Sequence, residues 1–388
     1  MTHGDNDPFE LERMVALRHD LHAHPELGFE EIRTSEIVAE QLAEAGIAVH
    51  RGLGQTGIVG TLRVGDGARR IALRADMDAL AMPELGDPVY RSTAANIMHA
   101  CGHDGHMVML LAAARHLART RRFSGTVHFI FQPAEEGRGG ARAMIEDGFL
   151  DRFPVDAVYG LHNMPGLAPD EMAVVAGPQL ASSDSWEVTF HGIGTHGAKP
   201  HLGRDAITAA AQFLGAIHTI VARRLDPLQP AVVSACAIAA GDFRALNVIP
   251  DDVRIGGTAR AYSPTVRDQL EGEIGLLAAG IAAAFGITCS YSFDRRIPPV
   301  VNDATAAAAA LAAAQTATGR PVITDFSPST AGDDFAEFGN RVPGCYVWLG
   351  NGPAVDGALH HNSRYDFNDA AILTGARYWT ALVEQELR

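Results

Sequence analysis

The chain has 388 residues, of which 47% are hydrophobic and 20% charged, and its formal net charge is -15. That length exceeds what one hydrophobic core usually serves, so two domains are expected, and the composition is that of a soluble globular protein, not a disordered or fibrous one. The excess of acid excludes a nucleic-acid backbone or an anionic membrane as the main partner.

The first ten residues are polar and acidic, with no basic segment leading into an apolar one, so no secretory leader is expected and the chain reads as cytoplasmic. No apolar run reaches the length of a membrane span. The cysteines at 101, 236, 289 and 345 lie too far apart for a dense disulfide framework and read as reduced thiols.

Apolar periodicity predicts helices over 10–22 and 32–45, strands over 58–64 and 71–75, a helix over 105–119, a strand over 126–131, a helix over 140–149 and a strand over 157–161. Strands separated by helices of this length imply an α/β fold with a mostly parallel sheet covered on both faces. From 185 the order changes to strand 185–190, helix 206–221, strands 232–239 and 253–261, helix 265–285 and strand 287–293. That is a β-α-β-β-α-β unit of the ferredoxin-like kind. The alanine-rich stretch 304–314 suits a plain surface helix, and a strand over 345–349 and a helix from 369 can rejoin the first sheet. The division expected is therefore a discontinuous domain, 1–180 with 294–388, and an inserted domain, 181–293.

Two runs match GxGxxG, Gly52 to Gly57 and Gly192 to Gly197. A dinucleotide site needs a helix opening in the glycines, so that its amides meet a pyrophosphate. The first run leads into a strand pattern and the second meets Pro200, so both read as turns. Neither a GxSxG elbow nor an HExxH helix is present.

Chemistry concentrates elsewhere. His99, Cys101, His103, Asp104 and His106 precede the predicted helix at 105, and a turn at Gly102 can aim Cys101 and His103 the same way. A thiolate and an imidazole suit a borderline transition metal; the alternative for Cys101 is a thiol that is simply buried. Glu135 and Glu136 end an apolar strand as adjacent carboxylates, either as a solvated loop or as a metal ligand beside a proton acceptor. His162 also follows an apolar strand. In an open sheet such strand ends meet at one crevice, which brings Asp76, Glu135 and His162 within reach of each other. Asp76 and Asp78 could orient a ligand imidazole, or cap a turn.

The runs LRHDLHAHPELGFEE, LRADMDAL, MHACGHDGH, FQPAEEG, GLHNMP, GTHGAKPHLGRDAI and HNSRYDFND resemble, in order and over almost the whole chain, the amidohydrolase group of the aminoacylase metallopeptidases. That group includes hippurate hydrolases, N-acyl amino acid amidohydrolases and auxin-conjugate hydrolases. The resemblance implies a zinc-exopeptidase-like catalytic domain, with the inserted domain as lid and dimerisation module. It implies two divalent ions (zinc, manganese, cobalt or nickel) held by Cys101, His103, Glu136, His162 and His361, with Glu135 as general base; Asp78, from its place at the strand end, is counted with the catalytic residues. Of the adjacent His360 and His361, the usual four-position step to Tyr365 selects His361. His196 matches a histidine lent across a dimer interface to polarise the scissile carbonyl, and Asn247 and Arg260 match positions that hold a substrate carboxylate. Ala81 and Ser363 stand where the group commonly has proline. The activity implied is hydrolysis of small N-acyl amino acids, in a homodimer or a dimer-based homo-oligomer. An aminopeptidase or dipeptidase on the same site, or a metal- or amino-acid-binding protein without catalysis, are the alternatives; the retained Glu135–Glu136 pair disfavours the last.

Overall fold

The computed structural model describes residues 7–354 and 357–388. Residues 1–6, most of the segment read above for a leader, lie outside them. Among the described residues no helix is long and apolar enough to cross a membrane.

The chain divides into two compact units. The first takes the chain up to Gly177 together with Val301–Ser327 and Asp333–Arg388. Its sheet has strands β1 (Ala48–Leu53), β2 (Gly57–Val64), β3 (Arg70–Asp76), β4 (Gly125–Gln132) and β5 (Ala157–Met164), with Gly344–Gly350 and Met172–Ala173, in the order β1, β2, β4, β3, β5, Gly344–Gly350, Met172–Ala173. The four central strands, β4 to Gly344–Gly350, run parallel, while both flanks pair antiparallel. The sheet is thus mixed, its expected parallel character confined to the centre. β1 escaped the periodicity because its edge position leaves His50 and Arg51 out of the core. The first glycine run is the β1–β2 hairpin: Gly52, Gly54 and Gln55 have positive φ.

Every residue of β4 is buried, as a strand covered on both faces requires. One face carries α1 (Leu11–Ala23), α2 (Ile32–Glu44) and α3 (His103–Thr120), with Ala304–Thr318 and Ala370–Glu386, around a core that includes Leu21, Leu42, Leu110, Phe129 and Trp379. The other holds a smaller aromatic layer of Phe149, Phe335, Phe338 and Tyr346. Ala304–Thr318 is not a plain surface helix. Ala306, Ala310, Ala313 and Ala317 are buried at helical spacing, because methyl side chains let it lie close against Ala370–Glu386. The helix expected over 140–149 is two, Gly140–Glu146 and Phe149–Arg152, parted at Gly148 with φ +85°.

The second unit is Pro178–Val300 with Pro328–Gly332. Its main sheet has four antiparallel strands in the order Ala231–Ala240, Asp252–Ala261, Ser183–His191, Thr288–Ile297. Helices Ala206–Ala216, Thr219–Arg223 and Pro264–Ala284 complete the β-α-β-β-α-β sequence. Asp205 and Ser263 cap two of them through their side chains. Ser183–His191 alternates between buried and half-buried, so Trp186, Val188 and Phe190 meet the helices while the opposite face stays partly open.

Candidate metal centre

Cys101 and His103 come together because Gly102 turns the chain in a left-handed conformation, φ +95°. A Cβ there would lie 2.6 Å from the Tyr365 hydroxyl oxygen and 2.7 Å from Asn163 Oδ1, so only glycine fits. His103 is the first residue of α3, two positions before the periodicity placed it. His162, within β5, brings its Nε2 to 3.4 Å from Cys101 Sγ.

Both imidazoles are oriented by carbonyl oxygens. His103 donates from Nδ1 to Asp78 O at 2.8 Å, and His162 from Nδ1 to Asn163 O at 2.8 Å. Each Nε2 then carries a lone pair; that of His103 is buried without a hydrogen-bond partner, and that of His162 faces Cys101 Sγ. Asp78 works twice here, since its Oδ2 also accepts the Glu136 N–H at 2.9 Å. Glu136 Oε1 in turn lies 3.2 Å from His361 Nε2, and the His361 N–H donates to Ala100 O at 2.8 Å.

Among the described residues five sets of donor atoms gather within metal-binding reach. Two, Asp76 with His103 and His106 and Glu135 with Asp333 and Asp334, include acids that also pair with Arg74. The other three are Cys101, His103 and His162; Cys101, Glu136 and His361; His103, Glu135 and Glu136. They share members, as neighbouring ions would require. His360 belongs to none, although its ring lies 4.9 Å from that of His162. Burial pushes its basicity down to about 3.

The electrostatics call for cations. Burial, then the negative charge of Glu136 and Glu135, pushes the Cys101 thiol well above its ordinary value, so a thiolate needs a positive ion in place of its proton. Burial, then Asp333 and Glu136, raises the Glu135 carboxyl well above the carboxylate range. Soft and borderline donors, imidazole Nε2 lone pairs turned toward them and crowded carboxylates fit divalent transition metals. Asp76, by contrast, has both oxygens engaged, with Arg74 Nη1 at 2.7 Å and His106 Nδ1 at 2.6 Å. Against the cost of burial, Arg74 and the two histidines His103 and His106 hold it well below the usual range.

Sequence reasoning missed the supports beneath the donors. Arg74 is fully buried and also pairs with Asp333 at 3.0 Å and Asp334 at 3.4 Å. Gln132 Nε2 donates to Asp334 at 2.7 Å, and the Tyr346 hydroxyl to Asp333 at 2.6 Å. Arg74 and Gln132 lie inside motifs already singled out, whereas the acidic doublet 333–334 had only its place before an apolar run to mark it. On the other side of α3, Asp104 accepts from His22 at 2.9 Å and pairs with Arg18 at 3.3 Å, which ties α1 to the turn holding Cys101.

The second unit holds the remaining candidates. His196 and Asn247 share one ribbon, Thr195–His196 pairing with Val248–Ile249, and Gly197 N–H donates to Asn247 O at 2.7 Å. His196 is exposed; its Nδ1 accepts from Ala198 N–H at 3.1 Å, so the neutral ring carries its proton on Nε2. The second glycine run is this ribbon and its turn; the helix that follows opens only at Ala206. Arg260 spends Nη1 on neutral oxygens, Ala259 O at 2.9 Å and Thr258 Oγ1 at 2.5 Å, and among the described residues no carboxylate pairs with it.

The sequence profile of the peptidase family M20/M25/M40 matches residues 72–385. A hippurate hydrolase of Campylobacter jejuni is 39% identical, over 96% of this chain and 96% of its own length. Thermostable carboxypeptidase 2 of Saccharolobus solfataricus is 35% identical, over 96% and 95%. A crystal structure described as a dinuclear metal-binding peptidase of the M20 family, from Bacillus subtilis, superposes with a TM-score of 0.85 at 32% identity, covering 97% of this chain and 98% of that one.

Proposed function

The chain belongs to peptidase family M20/M25/M40, and from that premise we propose that it hydrolyses the amide bond of small N-acyl amino acids with two divalent ions bound at this centre. The observation that carries the reading is the overlap of the donor sets around Cys101, His103 and Glu136, beside a buried carboxyl, Glu135, whose affinity for a proton is raised by burial and the neighbouring acids. In this reading Cys101, His103, Glu136, His162 and His361 are the ligands. Bound ions supply Lewis acidity, which acidifies water and polarises a carbonyl.

This chain's own residues do the rest. Glu135 accepts the proton of the attacking water and returns it to the departing nitrogen. Asp78 fixes the His103 tautomer and the Glu136 backbone. His196 donates from Nε2 to the carbonyl oxygen, and Arg260 with Asn247 receives the free carboxylate of the leaving amino acid. The guanidinium without an acid partner supports this role. A two-fold dimer is part of the proposal, with each His196 serving the partner's site. The edge strand Ala231–Ala240 and its neighbours support it, because Ile238, Phe243 and Leu246 are 58%, 94% and 82% exposed. Mixing His196→Ala with Glu135→Gln subunits should then restore about a quarter of normal activity through hybrids carrying one intact site. No recovery with hybrids present would remove the shared site.

The substrate experiment compares N-acyl amino acids with their C-terminal amides and with peptides bearing a free amino terminus. The expected order is N-acyl amino acid first, with the amide losing most of kcat/KM because a half-buried arginine is left without its partner. Equal rates for acid and amide would refute the carboxylate role. Preference for the free amino terminus would favour a peptidase instead.

A further inference from the structure

The loop presenting Glu135 and Glu136 rests on a buried carboxylate that the reaction does not use. Glu31, at the N-terminus of α2, is fully buried; its Oε1 accepts the Ala134 N–H at 2.8 Å and its Oε2 the Thr56 hydroxyl at 2.6 Å. Ala134 has φ +54°, a left-handed conformation that a residue with a Cβ keeps only when its surroundings hold it. The same segment touches the loop again at Gly28. A Cβ there would come within 2.8 Å of Ala134 Cα and 2.9 Å of its Cβ, and Arg138 Nη1 donates to Gly28 O at 2.9 Å.

The segment is itself anchored. The Glu26 carboxylate accepts the N–H groups of Arg33 and Thr34 at 3.0 and 2.8 Å, and Glu26 O accepts the Ala79 N–H at 2.8 Å. On the far side of Glu135, Asp78 holds the Glu136 N–H. The amides flanking Glu135 therefore both end on carboxylates fixed by other elements. Both oxygens of Glu31 are thus committed, one to the loop and one to Thr56, although burial pushes the carboxyl up to about 7.

We propose that Glu31 is a positioning residue which, with Gly28, fixes Ala134 in its left-handed conformation and so aims Glu135 and Glu136. This rests on reading Glu136 as a ligand and Glu135 as the proton acceptor. Glu31 touches neither substrate nor metal.

The experiment titrates metal-free protein with Mn2+ by calorimetry and measures kcat and KM on an N-acyl amino acid, for wild type, Glu31→Ala and Glu31→Gln. Glu31→Ala should weaken metal binding and lower kcat by about 10- to 100-fold each, as loss of a group orienting ligands does, with KM changed less than about threefold. Glu31→Gln should recover most of both, since its amide oxygen still accepts from Ala134 and the Thr56 hydroxyl can turn to accept. A folded Glu31→Ala protein with wild-type metal affinity and kcat would overturn the proposal. Should that variant fail to fold, Gly28→Ala, which pushes on Ala134 without removing a charge, should show the same paired losses; unchanged metal affinity in folded Gly28→Ala would overturn it equally. If wild type cleaves no N-acyl amino acid, the proposed function fails while the metal titration still decides the role of Glu31.

Discussion

The two units treat the polar residues of the candidate site in opposite ways, although the second also buries an ion pair, Asp184 with Arg267 at 2.6 Å. In the first, Arg74, Asp76, Asp78, His103, His106, Asp333 and Asp334 are buried and oriented by one another, leaving a few donor atoms bare. In the second, His196 and Asn247 are exposed and Arg260 has no acid partner among the described residues. A metal centre needs geometry fixed in advance, so its unit spends buried ion pairs on rigidity. Groups that receive a substrate must keep hydrogen-bonding capacity to offer it.

This contrast can be broken from the first unit. Glu135→Gln should lower kcat by about two to four orders of magnitude, the usual share of a positioned proton acceptor, with metal content unchanged. Metal analysis beside kinetics decides it; loss of metal would make Glu135 a ligand instead. Arg74→Met should destabilise the first unit by about 3–5 kcal/mol in a denaturant titration, because Asp76, Asp333 and Asp334 would remain buried without their cation. Stability equal to wild type would show that the buried acids need no compensation. His361→Ala should weaken metal binding by at least about a hundredfold, more than losing a group that merely orients a ligand, and His360→Ala by no more than about tenfold. The reverse order would exchange the two histidines.

A pH series sharpens the account of α1. Against the cost of burial, hydrogen bonds to Asp104 and Glu84 raise His22 from 6.5 to about 9, so the folded state binds its proton more tightly than the unfolded one. That contribution is fully present below about pH 6.5 and disappears as pH rises through 9. The stability advantage of wild type over His22→Gln should therefore shrink between pH 6 and pH 10, by on the order of 1–3 kcal/mol. An advantage that grows with pH would contradict the pairing. The smallest stability effect is expected in the second unit: Arg260→Met should change it by no more than about 0.5 kcal/mol while erasing the preference for a free carboxylate.

Much of the centre was legible because its donors sit in short runs at strand ends, where Gly102 and the Glu135–Glu136 doublet announce turns with chemistry attached. What stayed hidden was compensation. Arg74 reads as an ordinary strand residue until Asp333, more than 250 positions later, is beside it, and Glu31 reads as a surface acid at a helix start. Periodicity likewise reports one-sided burial well and edges poorly. It found β2 and β4 yet missed β1, and it took Ala304–Thr318 for a surface helix because alanine marks neither face.

The most direct test strips the protein of metal with a chelator and follows release of free amino acid from an N-acyl amino acid as Zn2+, Mn2+, Co2+ or Ni2+ is restored in measured equivalents. No turnover is expected without metal, and activity should rise with bound ion until two equivalents are held per chain. Full turnover by the metal-free protein, or two bound equivalents with no hydrolysis of any N-acyl amino acid, would contradict the proposed function.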